Sequence, residues 1–130
     1  MTYRNILVPH AGTPAGNKAL EHAKNIAKSQ NSKITLLHIV EEIPMPPSVG
    51  LTDQRLEWKK HLSSARRELK IEMHERMEKL AKKLRAEKIP TSVKVLHGYP
   101  EEEISRLVNK EHYDLLVMSK RRKLTGIKAI

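Results

Sequence analysis

Asn5-Ile6-Leu7-Val8-Pro9-His10-Ala11-Gly12-Thr13-Pro14 sets the course of the whole chain. Ile6, Leu7 and Val8 are apolar without alternation, the pattern of a short strand covered on both faces. Ala11-Gly12-Thr13-Pro14 then reads as a turn followed by a helix start, and Ala19, Leu20, Ala23, Ile26 and Ala27 recur at helical spacing. Lys33-Ile34-Thr35-Leu36-Leu37-His38-Ile39-Val40 is a second run of the buried-strand type. Two such strand–helix units in close succession predict a parallel sheet with crossover helices.

Beyond Val40 the pattern continues. Ile43 to Gly50 contains Pro44, Pro46 and Pro47, which fix φ and remove donors, so it reads as an extended surface loop. From Thr52 to about Lys88 there is neither Gly nor Pro. Leu62, Ala65, Leu69, Met73, Met77, Leu80 and Leu84 step by three or four, predicting one long amphipathic helix capped by Thr52 or Asp53. Its 12 basic and 7 acidic residues, with Glu75–Lys79 and Glu78–Lys82 at i,i+4 spacing, read as a solvated face. Ile89-Pro90 ends it, and Thr91 to His97 alternates as a third strand. Gly98-Tyr99-Pro100 turns into a helix whose first turn, Glu101-Glu102-Glu103, complements the helix dipole. Ile104, Leu107 and Val108 form its expected buried stripe, and Asp114 to Ser119 reads as a fourth buried strand. Lys120-Arg121-Arg122-Lys123 and Leu124 to Ile130 follow. The expected architecture is α/β: one domain over 1–130, an open parallel sheet in a three-layer α/β/α arrangement.

Composition narrows the function classes. The 130 residues include no Cys, which excludes disulfides, thiolate nucleophiles and Cys-ligated metals. No apolar run approaches the roughly 20 residues that span a bilayer, and the first one is too short for a signal sequence, so a soluble, cytoplasmic protein is expected. Lys and Arg number 25 against 15 Asp and Glu, a net charge of +10 that attracts polyanions in general. Aromatic residues make up only 3% (Tyr3, Trp58, Tyr99, Tyr113), which argues against base stacking on single strands.

In an open parallel sheet, ligands bind beyond the carboxyl ends of the strands where strand order reverses. The corresponding loops are His10 to Thr13 and Ser119 to Gly126, flanked by Glu41-Glu42. A helix N-terminus after Gly12-Thr13 and four consecutive cations at Lys120 to Lys123 together describe a phosphate site. A catalytic set of Ser119, His10 and Asp114 fails on distance. Asp114 and Ser119 lie at opposite ends of one strand, about 16 Å apart at 3.3 Å per residue. His10, His38 and His97 lie in or after separate strands and lack the spacing of a zinc site. His38 reads as a buried, hydrogen-bonded histidine, and His22, His61, His74 and His112 as solvent-facing. The chain is not expected to be an enzyme.

Asn5 to Pro9 with Gly12-Thr13, Leu36 to Val40, Gly98-Tyr99-Pro100, and Tyr113 to Met118 before a basic loop follow one another in an order and spacing that resembles the universal stress proteins. The resemblance spans essentially the whole chain. It implies a Rossmann-like domain that binds ATP or a related nucleotide, often with a divalent metal such as Mg²⁺, and commonly a homodimer. It places a backbone group near Val40 against adenine, the family's Asp of the first loop beside Gly12, and a Gly-x-x-Gly, nine residues, Gly-Ser/Thr pattern around the phosphates. The implied nucleotide contacts are Pro9, His10, Ala11, Gly12, Thr13, Val40, Met118, Ser119, Lys120, Arg121, Arg122 and Gly126. This sequence departs from the pattern at Ala11, where the Asp is expected. It departs again at Ser119 and Arg122, which stand on the two loop glycines unless an insertion makes Gly126 one of them. The final Gly-Ser/Thr, the last helix and the fifth strand that often builds the dimer are then expected beyond Ile130. Three readings follow. Nucleotide binds with Lys120 to Lys123 replacing the glycines, or the site is vestigial and the protein is a nucleotide-independent interaction module, or the basic surfaces associate with nucleic acid.

Overall fold

In the computed structural model, residues 2–42 and 52–119 are described, save the side chains of Thr52 and Asp53. The order is β1 (Asn5–Pro9), α1 (Pro14–Gln30), β2 (Lys33–Glu41), α2 (Thr52–Ala86), β3 (Thr91–Gly98), α3 (Pro100–Lys110) and β4 (Leu115–Leu116). All pairings are parallel, and the sheet runs β3-β2-β1-β4. Chain order therefore reverses between β1 and β4, where Ile6 lies opposite both Ile34 and Leu115.

The two faces of the sheet are filled unequally. Ile6, Val8, Ile34 and Leu36 pack with Leu20, Ala23 and Ala27 of α1 and with Met73, Met77 and Leu84 of α2. On the other face Leu7 and Leu37 meet Leu107 of α3, with Ile104 and Tyr113 beside them. Continuous apolar strands are thus explained: β1 is covered above and below.

Local chemistry fixes the element ends. Thr13 caps α1, its hydroxyl accepting from Gly16 N–H at 3.2 Å, and Pro14 occupies the first turn, where no N–H is missed. Asn31 ends α1 in the left-handed conformation (φ 58°) with its N–H on Ala27 O. The Asp114 carboxylate accepts from the backbone N–H groups of Arg4 and Asn5 at 2.8 and 2.9 Å, clipping the start of β4 to the start of β1. Those backbone hydrogen bonds hold the carboxyl below its ordinary pKa.

Several expectations are corrected. The long helix stops at Ala86 rather than near Lys88, and full burial along it begins only at Met73. Leu56, Leu69 and Ile71 are exposed, because 35 helical residues extend about 52 Å whereas the nine residues of β2 extend about 30 Å. The N-terminal half of α2 therefore projects past the carboxyl edge of the sheet. Glu78 pairs with Arg85 (3.0 Å), two turns away, instead of Lys82. Val108 is exposed rather than part of a buried stripe. The fourth strand is shorter than Asp114 to Ser119 and covered on one face only: Leu115 and Val117 pack inward, while Leu116 and Met118 are 42% and 48% exposed. The proline-rich loop, the side chains of the expected Thr52 or Asp53 cap and everything after Ser119 lie outside the described residues.

Candidate functional site

The carboxyl edge of the sheet has two corners of opposite character. The first is the β1–α1 corner. His10 N–H donates to Leu37 O at 2.7 Å, so the loop leaves β1 still tied to β2. The His10 ring is buried: Gly12 N–H donates to Nδ1 at 2.9 Å, and Nε2 lies 2.8 Å from Asn17 Oδ1. One nitrogen accepts and the other donates, which selects the neutral Nε2–H tautomer. Burial pushes the imidazole below its ordinary pKa, with His38 and Arg76 adding to the effect against the Asn17 hydrogen bond. His38, also buried, donates from Nδ1 to His10 O at 2.8 Å.

Two glycines make this packing possible. A Cβ on Gly16 would stand 2.7 Å from His10 Nδ1, so only glycine lets the ring lie against α1. Gly12 sits at φ +80°, the left-handed region that suits a residue without Cβ. Ala11 and Thr13 are exposed at the tip. Arg76, from α2, closes the corner: its Nη2 donates to Gly12 O at 3.1 Å and its Nη1 to Met73 Sδ at 3.5 Å.

Beside this corner, Val117 N–H donates to Leu7 O at 3.0 Å, carrying the β4 chain along β1 past its last paired residue. Pro9, His10, Ala11, Gly12 and Thr13 are thereby brought to the same edge as Met118 and Ser119. Val40 is buried one strand over, paired with His97 of β3. It shares the α1/α2 face with Leu36, whereas Met118 alternates onto the α3 face, so the two would meet a common ligand from different sides. Lys120, Arg121, Arg122, Lys123 and Gly126 lie outside the described residues.

The second corner joins the end of β2 to the β3–α3 turn. Glu41, Glu42, Tyr99, Pro100, Glu101 and Glu102 line a depression of about 380 Å³. Glu42 is held between Arg66 of the projecting half of α2 (3.4 Å) and His97 Nε2 (2.5 Å). The His97 contact is not a directed hydrogen bond, since that nitrogen has no partner of hydrogen-bond geometry. Four carboxylates around one depression disfavour a phosphate there.

Among the described residues no three His, Asp or Glu side chains are grouped as metal ligands. At the first corner the loop offers a neutral imidazole already committed on both nitrogens, a methyl group and a capping hydroxyl, so a divalent cation such as Mg²⁺ does not fit it. An anion does: the loop carries no carboxylate and a guanidinium leans on it. Sequence reasoning placed the loop but missed Arg76, which it counted among solvated helix charges. The available signal was the length of α2, which requires some of its turns to stand at the height of the loops. Among the described residues no helix is long and apolar enough to cross a membrane.

The profile of the universal stress protein family matches residues 2–130. A universal stress protein of Methanocaldococcus jannaschii is 30% identical over 128 residues, covering 98% of this chain and 70% of that protein. The universal stress protein UspA from Lactobacillus plantarum superimposes with a TM-score of 0.79 at 19% identity, over 99% of this chain and 85% of that one. A universal stress protein family protein from Arabidopsis thaliana, solved with AMP bound, gives a TM-score of 0.57 at 15% identity, over 90% and 76% of the two chains. With its parallel four-stranded sheet, its order reversal beside β1 and this family match along nearly its whole length, the chain belongs to the universal stress protein family.

Proposed function

We propose that this protein is a binding module whose ligand is an adenine nucleotide, held across the crevice between β1 and β4. The observation that carries this is the corner itself: the β1–α1 loop is locked by His10, Gly12 and Asn17 at the point where strand order reverses, and it is free of carboxylates. The AMP found in the Arabidopsis relative supports the ligand class. In this reading Gly12 and Thr13 meet the phosphate side, Val40 offers backbone to the base, and Met118 and Ser119 close the far wall. Occupancy would be read by a second copy of the chain or by another protein, rather than by turnover of the nucleotide.

Purification without added nucleotide, followed by denaturation and mass spectrometry of released small molecules, tests the proposal. The expected result is AMP, ADP or ATP, or, from an empty preparation, a Tm that rises by several degrees with millimolar AMP or ATP. A ligand at 100 times its Kd adds about 2.7 kcal/mol, ample for such a shift. An empty protein indifferent to both nucleotides would overturn the proposal in favour of a nucleotide-independent interaction module.

A further inference from the structure

We infer that Arg76 supplies the positive charge for the ligand's phosphate at the β1–α1 corner, so that binding needs no divalent cation; this rests on the nucleotide reading above. Arg66, Arg85 and Arg106 each meet a carboxylate, on Glu42, Glu78 and Glu103 respectively. Arg76 makes no ion pair among the described residues. It spends one N–H on Gly12 O and one on Met73 Sδ, and a guanidinium carries five. Three donors remain on an exposed side chain anchored against the loop tip.

The surrounding atoms favour an anion over a metal. Ala11 presents a methyl group where a carboxylate would otherwise draw both Arg76 and any cation. The Thr13 hydroxyl is occupied in capping α1, and the His10 ring is neutral and saturated. A divalent ion placed here would have no carboxylate or free imidazole from the loop and would feel the guanidinium's repulsion. A phosphate would gain charge-assisted hydrogen bonds from a planar fork already held in place. The anchoring matters: a guanidinium fixed by Gly12 O loses less freedom on binding than a free surface Lys.

Calorimetric titration of AMP and of adenosine, in EDTA and in Mg²⁺, provides the test on wild type, Arg76→Gln, Arg76→Lys and Ala11→Asp. Wild type is expected to bind AMP equally well in both buffers and at least about tenfold more tightly than adenosine, the scale of hydrogen bonds to a charged group. Arg76→Gln, which keeps a donor for Gly12 O, is expected to erase the AMP preference while leaving adenosine binding unchanged. Arg76→Lys should restore part of it. Ala11→Asp should pair with Arg76 and weaken AMP binding in EDTA, with Mg²⁺ recovering it. A merely structural role for Arg76 would weaken both ligands alike, and that result overturns the inference. Wild-type binding that requires Mg²⁺ also overturns it while sparing the nucleotide proposal. No binding of either ligand in either buffer overturns both.

Discussion

The two corners of the carboxyl edge differ in the sign of their charge and in how they are held. The β2–β3 corner holds a depression of about 380 Å³, but Glu41, Glu42, Glu101 and Glu102 line it, and Glu42 is held by a partly exposed ion pair with Arg66. Such pairs contribute about 0–1 kcal/mol and weaken with salt. At the β1–α1 corner the histidine is buried, both ring nitrogens are engaged, and an arginine rests on the backbone. For an anionic ligand, the sign of the local potential favours the β1–α1 corner.

The sharpest way to break this contrast is Gly16→Ala. The new Cβ would fall 2.7 Å from the His10 ring, and neither ring nor helix can retreat without losing the bonds to Gly12 and Asn17. Overpacking of this kind costs about 1–3 kcal/mol, which outweighs the roughly 1 kcal/mol that Ala gains over Gly inside a helix. Urea unfolding should show net destabilisation, accompanied by weaker AMP binding. Greater stability in the variant would mean that the ring does not lie against α1.

A smaller effect comes from pH. Burial depresses the His10 pKa below the ordinary imidazole value of about 6.5, so the unfolded chain takes up a proton before the folded one does. Stability from this group is therefore complete above pH 6.5 and declines as pH falls below it towards the native value. A protonated ring also loses the Nδ1 lone pair that accepts Gly12 N–H, so the loop should loosen in the same range. Urea midpoints from pH 7.5 to 5 should fall in wild type and fall less in His10→Gln. Parallel profiles would remove His10 from the account.

Much of this molecule is legible in its residues, and what is missing has a common cause. Ile6 to Val8 and Ile34 to Val40 announce buried strands because side chains on both faces must be apolar, which a linear pattern records. The apolar run at Leu115 to Met118 gives the same signal, yet only Leu115 and Val117 are packed. Among the described residues α3, with 11 residues, covers Leu7 and Leu37 but leaves Leu116 and Met118 exposed. A pattern reports what a residue tolerates, while coverage depends on the reach of a helix elsewhere in the chain. The first loop is likewise legible in Ala11-Gly12-Thr13-Pro14, a turn and helix start that follow an apolar strand. Arg76 is not, because spacing assigns a helical residue to a face without giving its height above the sheet. Gly16 is hidden for a related reason: its need for glycine arises from a ring six positions earlier that folds back onto it.

The most direct measurement is a titration of ¹⁵N-labelled protein with AMP in EDTA, followed through the backbone amide resonances. The account predicts shifts concentrated at Gly12, Thr13, Val40, Met118 and Ser119, with Tyr99 to Glu103 unmoved. Shifts centred on Tyr99 to Glu103, or none at all at saturating AMP, would contradict the assignment of the ligand to the β1–α1 corner.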